Sequence, residues 1–262
     1  MSSPVRHALA WLCVTASLAS AQYTRINVAI GPRDSEGTLH LYLFDSRRTS
    51  IKMISQGEPG TSLYKDLGAA MQAHKCEAGC NGGPADPQGQ PLGLVIASGK
   101  RYGQPASKSD RTEGVLYLDG SQPRLKRAAA FFASKAAQPR HLLQAGPFLV
   151  ESGKARPGLD SRRVARRTFV LSDGDYRWAI GYAPATTLQK LALALADSKT
   201  FKAFNVAAAL NLEGASHSGI WINREHGQLY LKELRGARNF LGLVNLDPLR
   251  DQGSRSPAAA DR

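Results

Sequence analysis

The chain is poor in cysteine, acid, aromatics and long apolar runs, and each shortage removes a class of protein. Its 262 residues include 3 cysteines, 7 % aromatics, and 21 acidic side chains against 34 Lys and Arg. The only sustained apolar stretch, residues 8–18 (ALAWLCVTASL), is too short for a bilayer, and nothing later approaches the roughly 20 residues of a spanning helix. His74, Cys76 and Cys80 offer a metal three ligands and no second cluster, so no metal site is expected. The densest basic run, Arg162-Arg163 with Arg166-Arg167, has no interleaved aromatics for base stacking, which argues against nucleic acid as a partner. No cofactor motif is present. The Leu188, Leu191 and Leu195 stripe reads as core packing.

What is there begins with a secretory signal over residues 1–21. Arg6 supplies the positive start, residues 8–18 the apolar centre, and Ala19-Ser20-Ala21 a small-x-small cleavage site ahead of Gln22. A secreted or periplasmic protein with no membrane span after cleavage is expected. One arginine and no acid leave with the signal, so the +13 formal charge is nearly intact in the mature chain. Such a charge draws an exported protein toward anionic polymers such as acidic glycans. Export also places Cys76 and Cys80 (C-E-A-G-C) in an oxidising compartment, where a local disulfide is expected, with Gly79 easing the loop.

Strand signals dominate residues 22–246. They fall at 24–30, 38–44, 92–97, 114–118, 148–151, 168–171 and 178–181, with Asp173-Gly174-Asp175 as a hairpin turn. Helical spacing appears over 62–74, capped by Ser62, and over 187–196, capped by Thr186 or Thr187. The pattern predicts one α+β domain, a mixed and largely antiparallel sheet with a few packed helices. Residues 247–262 are polar and should form a disordered tail.

Four polar or Gly-rich stretches adjoin strands. Asn81-Gly82-Gly83 could bring backbone amides to an oxyanion, and Gln144-Ala145-Gly146-Pro147 turns into a strand. Arg167-Thr168 heads another strand, where a guanidinium can grip phosphate at two points. Asn211-Leu212-Glu213-Gly214 ends an apolar strand on a carboxylate, before a turn containing Ser216, His217 and Ser218. Residues 214–219 (GASHSG) are not a G-x-S-x-G elbow, which excludes the serine-hydrolase reading.

In order and spacing, N-G-G (81–83), D-P-x-G-x-P-L-G-L (86–94), Q-A-G-P-F-L-V-E-S-G-K (144–154), R-R-T (166–168), T-L-x-x-L-A-x-x-L (187–195) and A-L-N-L-E-G-A-S-H-S-G (209–219) together resemble the phosphodiester glycosidase family. The resemblance runs from about Thr38 to Val244 and implies a catalytic domain that cleaves a sugar from a sugar-1-phosphodiester. The chain departs from the family pattern at Pro84 and Ala85, at Glu113-Gly114 where relatives have Asn-Gly, and at Glu213 where they have Asp.

Cleavage at an anomeric carbon passes through an oxocarbenium-like state, which calls for a carboxylate; Glu213 is the candidate. The leaving phosphate needs positive charge more than a strong acid. Arg167 is expected to supply it, with Arg163 or Arg166 in support and the amides of Gly82 and Gly83 nearby. His217 is a candidate acid/base group. Asn81, Gln144, Ser216 and Ser218 are expected on sugar hydroxyls, with Thr168, Asn211 and Gly214 completing the substrate-binding set. The alternative expectation is an impaired relative that binds glycosyl phosphate or anionic glycan without turnover.

Overall fold

The structure is a computed structural model describing residues 21–32, 35–106, 109–134, 138–201 and 204–246. The expected signal, apart from Ala21, and the expected tail over 247–262 lie outside the described residues.

The strands form three sheets. The largest runs β1 (Gln22–Val28), β2 (Gly37–Asp45), β13 (Arg177–Thr186), β12 (Ala165–Ser172), β14 (Ala208–Gly214), β10 (Phe148–Glu151) and β11 (Lys154–Ala155). The second runs β16 (Leu229–Leu231), β15 (Ile220–Ile222), β4 (Ala78–Asn81), β17 (Asn239–Asn245) and β3 (Thr49–Ser55). The third runs β6 (Lys100–Tyr102), β5 (Val95–Ala97), β9 (Leu142–Ala145), β7 (Gly114–Asp119) and β8 (Gln122–Arg127). Neighbouring strands in all three pair antiparallel. The antiparallel sheets with a few packed helices agree with the expectation, but at 44 % strand and 13 % helix among the described residues the fold is largely β rather than α+β.

Strand alternation explains the layering. In β13, Trp178, Ile180 and Tyr182 join a central core shared by all three sheets, while Ala179 and Ala183 join a second core beneath α3 (Leu188–Ala196). Phe169 and Leu171 of β12 join the second core and Val170 the first. Both faces of the large sheet are therefore covered. Burying each such side chain contributes roughly 1.5–3 kcal/mol.

The helix over 187–196 forms as α3, and Thr187 Oγ1 accepts the Lys190 amide at 3.2 Å as its N-cap. The first helix, α1 (Leu67–Ala73), is shorter than the expected 62–74 and starts from Asp66, whose Oδ1 accepts the Ala69 amide at 2.9 Å. Ser62 does not cap it. Gln56 binds both the amide and the carbonyl of Tyr64, each at 2.9 Å, so these backbone groups are committed elsewhere. A third helix, α2 (Ala128–Ala133), covers the outer face of the third sheet.

The expected disulfide is absent: Cys76 and Cys80 are both free and buried. Gly79 and Gly242 are cross-strand partners on the α1 face, where Met71 and Cys76 fill the space a Cβ would need. Cys80, next to Gly79 on β4, faces the opposite way into the central core. The two thiols thus lie on opposite faces of one sheet. Burial pushes the Cys76 thiol up to about 12 and raises Cys80 as well, so both stay protonated and inert near neutral pH.

Candidate active site

The end of the large sheet nearest the α3 N-terminus opens into a cleft of about 320 Å³. Its walls bring together Arg167 from β12, Asn211 and Glu213 from β14, Ser216 and His217 from the following turn, and Arg111 from the third sheet's side. Pro84, Ala85, Asp160, Arg163 and Leu188 complete the rim.

A β-bulge sets the geometry. Phe169 pairs with Asn211 and Arg167 with Gly214, so Leu212 and Glu213 together oppose Thr168 alone. Leu212 fills the central core while Glu213 reaches the cleft. The Glu213 carboxylate accepts the Gly214 amide at 2.9 Å and stands 3.6 Å from Arg111 Nη2. Its carbonyl accepts the Thr168 hydroxyl at 3.3 Å. At Gly214 a Cβ would stand 2.7 Å from Arg167 Nη1, so any larger residue would displace that guanidinium. The next residue, Ala215, adopts the left-handed region at φ 62.

Arg167 is 6 % exposed. Its Nη2 donates to the Arg163 carbonyl at 3.0 Å, and its Nε has no partner among the described residues. Burial chiefly, and then Arg163, hold its guanidinium below its usual value, against Asp160 and Glu213, yet an arginine remains charged. Asn211 is also nearly sealed. Its Nδ2 donates to the Gly146 carbonyl at 2.9 Å, while its Oδ1 has no partner among the described residues. Arg167 Nε and Asn211 Oδ1 are thus a buried donor and a buried acceptor beside the cleft that no protein group among the described residues satisfies.

Several of the residues expected on substrate make buried hydrogen bonds within the fold. Asn81, 1 % exposed, accepts the Thr168 hydroxyl at 2.9 Å and the Gly219 amide at 3.1 Å, and donates to the Gly82 carbonyl. The amides of Gly82 and Gly83 are taken by the carbonyl and Oδ1 of Asn239, at 2.8 and 2.7 Å. Gln144 is saturated by the Leu94 and Ala106 amides and the Ala106 and Thr112 carbonyls. Thr168 and Ser218 are fully buried behind the cleft wall. Arg166 points elsewhere and donates to the Lys232 carbonyl at 2.9 Å.

Nothing in the sequence marks Arg111, Asp160 or Asn239 as site residues. Arg111 sits in a short 3-10 turn (Asp110–Thr112) far from Glu213 along the chain, with no motif around it. Asp160 Oδ1 accepts the amides of Arg162 and Arg163, and these bonds keep its carboxyl below the usual range. It is therefore a poor proton donor at neutral pH.

The phosphodiester glycosidase family model matches residues 74–244, and the chain belongs to that family, whose members are hydrolases acting on phosphodiester-linked sugars. Its fold is similar to that of the zebrafish N-acetylglucosamine-1-phosphodiester alpha-N-acetylglucosaminidase catalytic domain auto-inhibited by its pro-peptide. The TM-score is 0.62 at 15 % identity, over 87 % of this chain and 84 % of that one. A hypothetical protein from Synechocystis shares the fold at TM-score 0.56 and 12 % identity, over 86 % of this chain and 62 % of that one. A candidate exported protein from Burkholderia pseudomallei K96243 does so at 0.55 and 12 %, over 83 % and 76 %. No curated protein sequence matches the chain significantly.

Proposed function

We propose that the chain is an exported glycosidase that hydrolyses the bond between a sugar's anomeric carbon and a phosphodiester, releasing free sugar and a phosphate monoester. The observation that carries this reading is Arg167: a buried guanidinium with an unpartnered Nε, in one cleft with the Glu213 carboxylate. Such a group is costly to keep unless an anion completes it. Export is supported by the signal-like residues 1–21 and by the Burkholderia relative of the same fold.

The residues divide the work. As the C1–O bond lengthens, its electron pair leaves with the phosphate oxygen, and Arg167 with Arg163 stabilises that charge. Glu213 faces the positive charge growing at C1. Water completes C1; one of its protons stays on the new hydroxyl and the other departs, with His217 placed on the cleft wall to move it. Asn211 Oδ1 accepts a hydroxyl or acetamido N–H of the sugar, and Ser216 and Gly214 line its approach. No protein acid is required, because a phosphate monoester is already a good leaving group.

A second reading, binding of glycosyl phosphate or anionic glycan without turnover, is favoured by the hold that Arg111 and the Gly214 amide have on Glu213. Release of N-acetylglucosamine from its 1-phosphodiesters separates the two. Turnover by the wild type that is lost in Glu213→Gln and Arg167→Ala supports hydrolysis. Sugar-phosphate binding with no turnover supports the second reading.

A further inference from the structure

Glu113 stands behind the cleft wall, and its carboxylate tethers a segment that forms part of that wall. It follows the Asp110–Thr112 turn that carries Arg111, and its side chain is only 13 % exposed. Oε1 accepts the Phe148 amide at 2.6 Å and meets the Arg156 guanidinium, while Oε2 stands 3.4 Å from Arg127 Nη1. The Glu113 stem and the Asp110 carbonyl fill the space a Cβ would need on Gly146. Gly146 and Pro147, which line the cleft, are thus packed against Glu113 and tied to it through the next amide.

Those two residues hold Asn211. The Pro147 carbonyl accepts the Asn211 amide at 2.9 Å, and the Gly146 carbonyl accepts Asn211 Nδ2, also at 2.9 Å. A carbonyl can only accept, so the carboxamide nitrogen faces Gly146 and the unpartnered Oδ1 is turned away from it. The last torsion of an asparagine is otherwise broad. The position of residues 146–148 therefore decides where Oδ1 lies. Arg111 does not depend on this tether. Its turn is closed by the Thr112 amide on the Ser109 carbonyl at 3.0 Å, and the Thr112 carbonyl accepts Gln144 Nε2 at 2.7 Å.

We infer that Glu113 is a positioning residue, which holds Gly146–Phe148 so that Asn211 Oδ1 keeps the orientation in which it receives the sugar. The inference rests on the glycosidase reading for what Asn211 binds. The carboxylate has two duties, toward the Phe148 amide and toward two guanidiniums, and conservative substitutions separate them. Glu113→Gln keeps an oxygen for the amide and gives up the charge facing Arg127 and Arg156. Glu113→Asp keeps the charge and falls one methylene short of the amide.

The test measures affinity for an N-acetylglucosamine-1-phosphodiester by calorimetry, and kcat and KM on the same probe. The proteins are the wild type, Glu113→Asp, Glu113→Gln, and the same two substitutions in an Asn211→Ala background. Glu113→Asp is expected to bind about tenfold more weakly, the scale of one hydrogen bond. Its KM should rise with kcat nearly unchanged, since the lost contact serves ground state and transition state alike. Glu113→Gln is expected to match the wild type. In the Asn211→Ala background neither substitution should weaken binding further, because the two residues act as one unit. Additive losses, wild-type affinity in Glu113→Asp, or a Glu113→Gln as weak as Glu113→Asp overturn the inference, while turnover by the wild type leaves the glycosidase reading standing. Coupled losses of affinity with no turnover in any of the proteins defeat the glycosidase reading and leave Glu113 in its role. A wild type that does not bind the probe overturns both.

Discussion

Arg111 Nη2 stands 3.6 Å from Glu213 Oε2 across the mouth of the cleft, joining the third sheet's side to the end of β14. The two side chains differ in freedom: Arg111 is 52 % exposed and Glu213 only 14 %. Arg111 is the partner that can swing toward an incoming phosphate. Arg111→Ala is expected to weaken sugar-phosphate binding by about tenfold, the scale of one charge-assisted hydrogen bond. Calorimetric titration checks this, and unchanged affinity would leave Arg111 as a surface ion pair only.

Ala215 occupies the left-handed region at φ 62, where a side chain costs about 1 kcal/mol. Ala215→Gly is expected to stabilise the protein by about 0.5 kcal/mol, after allowing for glycine's greater freedom when unfolded. Ala215→Val should destabilise it by roughly 1 kcal/mol or more, since a β-branched residue is a poor occupant of that region. Denaturant midpoints of the three proteins, with equal slopes, would show the ranking.

Asn81 ties β4 to β12 and to the turn after Glu213 through buried hydrogen bonds. In Asn81→Ala the Thr168 hydroxyl and the Gly219 amide lose their acceptor, at a cost of about 2–3 kcal/mol. Urea unfolding should register that loss. A raised KM at unchanged stability would instead return Asn81 to the substrate.

His141 gives the protein an acid limb. Its Nδ1 accepts the amides of Met53 at 3.1 Å and Ser98 at 3.4 Å, which requires the nitrogen to be unprotonated. Burial, with Lys52 and Arg140, lowers its pKa from 6.5 to about 4. Below pH 6.5 the unfolded chain takes up a proton that the folded chain refuses. The stability His141 contributes is therefore complete above 6.5 and declines as pH falls toward 4. His141→Gln should flatten the stability profile over that window, and an unchanged slope would remove His141 as its cause.

The sequence revealed the parts of the fold that carry their own periodicity. The alternating residues 38–44 became β2, the leucine stripe became α3, and the 173–175 turn joined β12 to β13. Strands β3, β4, β9 and β17 are not legible in the sequence because they are largely buried on both faces and show no alternation. At the site, Glu213, Arg167, Asn211, Ser216 and His217 do line one cleft. Asn81 and Gln144 look, as residue types, equally suited to hold a sugar. Their amides serve backbone groups distant in sequence, such as Leu94 and Thr112, and only tertiary packing decides that. The Cys76–Cys80 spacing invites a loop closure that strand alternation across Gly79 forbids.

The extra residue in β14 also separates two kinds of evolutionary change. Replacing one side chain at 213 alters reach by a methylene and leaves every neighbour where it was. Losing one residue between Asn211 and Gly214 would restore straight pairing with β12 and leave a single side chain opposite Thr168, so the segment could no longer place both a leucine in the central core and a carboxylate at the cleft. Relatives of this chain can thus drift in which acid they carry, while the length of this segment is held by the packing of the whole protein.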